Sequence, residues 1–133
     1  MSVLRYKILY LLEKEGPLTS IQIANKLKTS RQNVTGALSR LITKGYVKRA
    51  WLTKKRRQTG VRKLDFIMAE GGRKAPIYYL PHQRHIVARM LIKMLKKPKN
   101  SDEKRSMIYL IKNSELEPPL EDLLRKWVHG KHS

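Results

Sequence analysis

The stretch LTSIQIANKLKTSRQNVTGALSRLITKGYVKR, residues 18–49, decides the fold. Thr19 and Gln22 stand three apart as a capping box: the Thr19 hydroxyl accepts from the amide three residues on, and Gln22 reaches back. The box opens a short helix with Ile21, Ala24 and Leu27 on one face. Lys28-Thr29 is a tight connection, and Ser30 is a good N-cap for a second helix, Arg31 to about Lys44. Val34, Ala37, Leu38, Leu41 and Ile42 form its apolar stripe at helical spacing, and Gly45 is placed as its stop. After Gly45 the period changes to two, and Tyr46 to Leu52 reads as a strand.

Working outward, Val3, Leu4, Ile8, Leu11 and Leu12 recur as one helical face over residues 3–14, and Gly16-Pro17 ends that helix. Beyond the strand, residues 53–75 are polar, basic and punctuated by Gly60, Gly71 and Gly72. Ile77-Tyr78-Tyr79-Leu80 is the return strand, closed by Pro81. Val61–Met68 is expected to add strand structure to this long hairpin. His82 to Lys97 is an amphipathic helix with Ile86, Val87, Met90, Leu91, Met94 and Leu95 on one face. Pro98-Lys-Asn100 breaks it, and Ser101-Asp-Glu-Lys104 caps a further helix carrying Met107, Ile108, Leu110 and Ile111. After Glu117-Pro118-Pro119, Leu120, Leu123, Leu124, Trp127 and Val128 mark a last short helix. The expected class is mainly α with a small β-hairpin: a winged helix-turn-helix over 1–81 with a long basic wing at about 53–75, then a helical dimerisation or packing extension over 82–133.

The 18–49 stretch closely resembles the MarR-like winged-helix transcriptional regulators, and Gly71-Gly-Arg-Lys-Ala-Pro-Ile-Tyr-Tyr-Leu80 resembles the return arm of their wing. The resemblance covers roughly residues 3–81. It implies binding of duplex DNA and a two-fold dimer built from terminal helices. The loop 53–75 is longer than the usual wing.

Charge supports a polyanionic partner on independent grounds. The chain has 133 residues, 30 Lys plus Arg, 10 Asp plus Glu and a net charge of +20. Residues 16–99 hold 21 of the basic residues against only Asp65 and Glu70, a net of +19, whereas 100–133 balance to zero. A surface built only for solubility intersperses both signs. Self-repulsion of this size disfavours a compact state unless a polyanion relieves it. There is no cysteine, hence no disulfide, thiolate metal site or thiol nucleophile. No apolar run reaches the roughly 18 residues of a membrane span, and no secretory signal is evident. A cytoplasmic, nucleoid-associated protein is the expectation.

Off the apolar stripe, the second helix carries Arg31, Gln32, Asn33, Thr35, Gly36, Ser39, Arg40 and Lys44. Arg forks onto guanine and Asn or Gln onto adenine in the major groove, so Arg31, Gln32, Asn33, Thr35, Gly36, Ser39 and Arg40 are the expected base-contacting set. Gly36 costs helix stability; close approach to DNA and close packing on a neighbouring helix explain it equally well. Thr19, Ser20, Ser30 and Lys44, with the wing residues Lys54, Lys55, Arg56, Arg57, Arg62, Lys63, Arg73 and Lys74, are the expected contacts to phosphate or the minor groove. Capping alone also accounts for Thr19, Ser20 and Ser30. Trp51, Tyr78 and Tyr79 fit packing better than base stacking. Ile86, Val87, Met90, Leu91, Met94, Leu95, Met107, Ile108, Ile111, Leu124 and Trp127 are the expected homodimer face.

His82 and His85 stand three apart, as do His129 and His132, but without further ligands they make a poor zinc site. No catalytic motif appears, so neither metal, cofactor nor enzyme activity is expected. The leading function is a sequence-specific regulator of double-stranded DNA. The alternatives are a non-specific architectural protein, a replication or partition DNA binder, and an RNA-binding or ribosome-associated winged helix.

Overall fold

A computed structural model describes residues 2–52 and 75–130. Helix α1 spans Val3–Glu15, β1 Leu18–Thr19, α2 Ser20–Leu27, α3 Arg31–Thr43, β2 Lys48–Ala50 and β3 Ile77–Tyr79. A 3₁₀ turn over Pro81–Gln83 leads into α4 (Arg84–Met94), followed by α5 (Ser101–Lys112) and α6 (Pro118–His129). Helices dominate the described residues, with one small three-stranded antiparallel sheet ordered β1-β3-β2. The winged-helix class is therefore the observed one.

The chain divides into two compact units. The first runs to Ala50 and resumes over Ala75–Val87. Its core gathers Ile8, Leu11 and Leu12 of α1, Ile23 and Ala24 of α2, and Val34, Ala37, Leu38 and Leu41 of α3, with Leu18, Val47, Tyr78 and Leu80. Burying one such large aliphatic chain contributes roughly 1.5–3 kcal/mol. The buried positions of α3 are the apolar stripe of the sequence, but α2 turns Ile23, not the expected Ile21, into the core with Ala24, and Ile21 and the expected Val3 of α1 are exposed.

Local signals fix the ends of these helices. Thr19 Oγ1 accepts from the Gln22 amide at 3.2 Å, and Gln22 Oε1 accepts from the Thr19 amide at 2.9 Å, completing the capping box. Ser30 Oγ accepts from the Asn33 amide at 3.1 Å. Gly45 has φ +83°. Its amide donates to Ile42 O at 3.0 Å while Tyr46 N donates to Leu41 O at 3.0 Å, a paired closure that satisfies the last carbonyls of α3. The same closure ends α2, but there the left-handed residue is Lys28, φ 54°.

The sheet differs from the expected two-stranded hairpin. Leu18 pairs with Tyr78 and Thr19 with Ile77, adding β1 beside β3. The strand expected over 46–52 contracts to Lys48–Ala50, registered as Lys48 with Tyr79, Arg49 with Tyr78 and Ala50 with Ile77. It stops there because Trp51 turns to a different partner: its amide donates to Glu115 O at 2.8 Å and Glu115 N returns to Trp51 O at 2.9 Å. The proposed extra strand at 61–68 lies outside the described residues.

Behind β3, Gln83 is buried, with Nε2 donating to Leu12 O at 2.7 Å and Oε1 accepting from Leu80 N at 3.0 Å. This amide ties the 3₁₀ turn to α1. The helix expected from 82 to 97 is thus a 3₁₀ turn plus an α-helix ending at Met94. The Leu95 amide tightens onto Ile92 O at 3.1 Å, and Pro98 biases Lys97 away from helical backbone.

In the second unit, which begins at Trp51 and resumes at Ala88, Leu52, Leu91, Leu95, Met107, Leu110, Ile111, Leu120, Leu124 and Val128 are buried. α5 packs along α6. The α5 cap falls one residue earlier than expected. Asn100, not Ser101, is the N-cap, with Oδ1 accepting from Glu103 N at 2.9 Å. Pro118 opens α6 and Gly130, φ 70°, closes it.

Candidate nucleic-acid interface

The exposed face of α3 follows from helix geometry. At about 100° per residue, burying Val34, Ala37, Leu38 and Leu41 turns Gln32, Gly36, Ser39 and Thr43 outward. Arg31 and Thr35 then form one flank, and Asn33, Arg40 and Lys44 the other. All nine of these residues are exposed.

Their hydrogen bonds separate committed groups from available ones. Thr35 Oγ1 donates to Arg31 O at 2.8 Å, and Thr43 Oγ1 donates to Ser39 O at 3.0 Å. Both hydroxyls keep only acceptor capacity. Asn33 Nδ2 donates to Thr29 Oγ1 at 3.4 Å, which leaves its Oδ1 open. The donors of Arg31, Gln32, Ser39 and Arg40 remain available at the surface.

Gly36 settles one of its two readings. Among the described residues, a methyl group added there would meet nothing within 4 Å. No described helix packs close enough to require glycine, and the backbone is ordinary helix. The helix-packing explanation therefore falls.

The expected backbone contacts divide. Ser20 is buried, 7% exposed, which leaves its place at the helix N-terminus, not its hydroxyl, as the group that could face a phosphate. The Thr19 and Ser30 hydroxyls serve as caps. Lys44 is exposed. Lys54, Lys55, Arg56, Arg57, Arg62, Lys63, Arg73 and Lys74 lie outside the described residues. Tyr78 and Tyr79 are buried, 6% and 0% exposed, and offer no stacking face.

Sequence reasoning did not single out Arg5. It lines a groove of about 520 Å³ with Ser39, Arg40, Thr43 and Lys44. The periodicity that assigned α1 to the core says nothing of what its polar side lies against. α1 also carries exposed Val3, Tyr6 and Tyr10, which border a second groove of about 460 Å³ with Leu11 and Leu27.

Burial refines the expected dimer face. Val87, Leu91, Leu95, Met107, Ile111 and Leu124 are buried within the single chain, at 5% exposure or less. They cannot also cover a partner without rearrangement, because the amphipathic faces fill an internal core first. Ile86 is exposed, and Met90, Met94, Ile108 and Trp127 are half-buried. Among the described residues no group of three or more His, Cys, Asp or Glu could hold a metal. His82 Nε2 instead lies 2.9 Å from Glu13 Oε2 on the surface; His132 lies outside the described residues. No described helix is long and apolar enough to cross a membrane.

Residues 1–59 match the model of the MarR family. No curated protein matches the chain. Among solved structures, it is similar to the crystal structure of RV1404 from Mycobacterium tuberculosis, with 12% identity and a TM-score of 0.43 over 98% of this chain and 70% of that one. That likeness is too slight to carry an argument.

Proposed function

With residues 1–59 MarR-like as the premise, we propose that the chain is a sequence-specific regulator of double-stranded DNA that inserts α3 into the major groove. The observation that carries the reading is the outward face of α3: unengaged Arg31 and Gln32 donors beside an open Gly36. Recognition helices read base edges with their N-terminal residues. Arg31, Gln32, Asn33 and Thr35 take that role here, and Gly36 lets the helix approach closely. Ser39, Arg40 and Lys44 stand further along the same surface.

The wing cations of residues 53–75 fit contact to the backbone or minor groove, which a narrow, strongly negative groove favours. Their count alone supports this, and such contacts add affinity without sequence information. The chain acts as a homodimer through the apolar groups left on its surface, so that two copies of α3 meet successive major grooves.

A second reading, non-specific architectural binding, is favoured by one observation. The first unit over residues 1–50 and 75–87 holds 11 Lys and Arg against Glu13 and Glu15 alone, a net of +9 before the wing is counted. Titrating labelled duplexes of several sequences and double-stranded RNA at two salt concentrations separates these classes, since equal affinity for every duplex sequence contradicts the specific reading and favours the architectural one. The proposal expects tighter binding to DNA that weakens steeply with salt. A preference for RNA contradicts it.

A further inference from the structure

We infer that Arg5, Arg40 and Lys44 form a seat for one backbone phosphate of duplex DNA beside the base-reading part of α3, an inference that rests on the DNA-binding reading above. The three cations line one groove with the hydroxyl-bearing Ser39 and Thr43, and no carboxylate among the described residues lines it. The two acidic residues of this unit lie at the other end of α1 and are engaged elsewhere. Glu13 Oε2 is 2.9 Å from His82 Nε2, and Glu15 Oε1 is 2.7 Å from Lys26 Nζ. From Arg5 to Glu13 the helix rises about 12 Å.

Arg40 and Lys44 have an ordinary local explanation, since cations at a helix C-terminus complement its dipole. Arg5 has none. It occupies the first turn of α1, where a cation opposes the dipole and where no acidic residue is present. Ser2 caps this helix, accepting from the Arg5 amide at 3.4 Å. A Glu at position 5 would complete a capping box. Residues that break a local rule are expected at functional or strained sites. Arg5 Nε donates to Ser2 Oγ at 3.3 Å, which steadies the side chain and leaves the terminal N–H groups of the fork for an anion. Ser39 contributes a hydroxyl donor; Thr43, already donating to Ser39 O, contributes an acceptor only.

The chemistry recognised is a phosphate oxyanion, and continuity with the exposed face of α3 assigns it to the duplex backbone. Arg40 then positions the helix instead of reading a base. The test measures affinity for random and preferred duplexes over a KCl series for the full-length chain and for R5Q, R5K and R5E. R5Q should lower the slope of log affinity against log salt by about one, as loss of one phosphate contact does, with sequence preference unchanged. R5K should retain most of the slope. R5E should raise the melting temperature by completing the capping box, and should still bind more weakly than R5Q. This rise excludes misfolding as the cause of lost affinity.

If the unmodified chain binds duplex while R5Q keeps its affinity and slope, the phosphate seat is refuted and the DNA reading stands. If the unmodified chain binds no duplex, the DNA reading and the seat fail together. Calorimetric titration with inorganic phosphate alone should give no saturable heat. A saturable isotherm abolished by R5Q would overturn the backbone assignment in favour of a free-anion site.

Discussion

Gly36 sits in mid-helix on the exposed side of α3, where alanine would meet none of the described residues within 4 Å. Alanine in that position normally stabilises a helix by roughly 0.5–1 kcal/mol. G36A should therefore raise the melting temperature while weakening duplex binding, because in the proposed complex the added methyl stands where the helix approaches DNA. Thermal unfolding and a binding titration on the same sample check both signs. Unchanged binding would leave the glycine without the role given it here. Gln83 is the opposite case: its work is internal. Q83L strips the partner from the Leu80 amide and one donor from Leu12 O, and should cost about 1–3 kcal/mol of stability in denaturant titration. The outward side chains of α3 were legible in the sequence because the apolar stripe leaves only one face for them. Arg5 and Gln83 were not, since each acts on a residue far away in the chain or on another helix, and no period encodes that.

At the scale of elements, the two caps and the turn between α2 and α3 fix the angle at which α3 is presented. S30A removes the acceptor for the Asn33 amide and should cost about 1 kcal/mol. K28G should stabilise the fold by several tenths of a kcal/mol to about 1 kcal/mol, since glycine adopts φ 54° without the side-chain penalty that lysine carries. Chemical denaturation resolves both changes. These helix boundaries were readable from Thr19, Gln22, Ser30 and Gly45 because their signals are local. The sheet was less legible. β1 is two residues long, too short to show a period of two, and exists only because β3 lies beside it. β2 ends early because Trp51 pairs with Glu115, a partner 64 positions on. The Asn100 cap displaced the expected Ser101 because either residue type can serve, and only the backbone geometry chooses between them.

For the whole molecule, the sequence separates a basic stretch, net +19 over residues 16–99, from a neutral one over 100–133. The neutral stretch holds α5 and α6, whose buried Met107, Ile111 and Leu124 serve an internal core. The proposed dimer then depends on apolar groups still at the surface, and sedimentation should give twice the chain mass. A monomer at every concentration would remove the two-fold geometry from the account. Sequence alone foresaw an apolar C-terminal extension but not how much of it is spent internally, because an amphipathic face looks the same whether its partner is the same chain or another. The large positive charge leaves specificity as the central claim at stake. Selection of bound duplexes from a random pool by the full-length protein tests it most directly. The account predicts an enriched sequence, repeated as half-sites about one helical turn or a multiple of it apart; recovery of the pool without enrichment would contradict it.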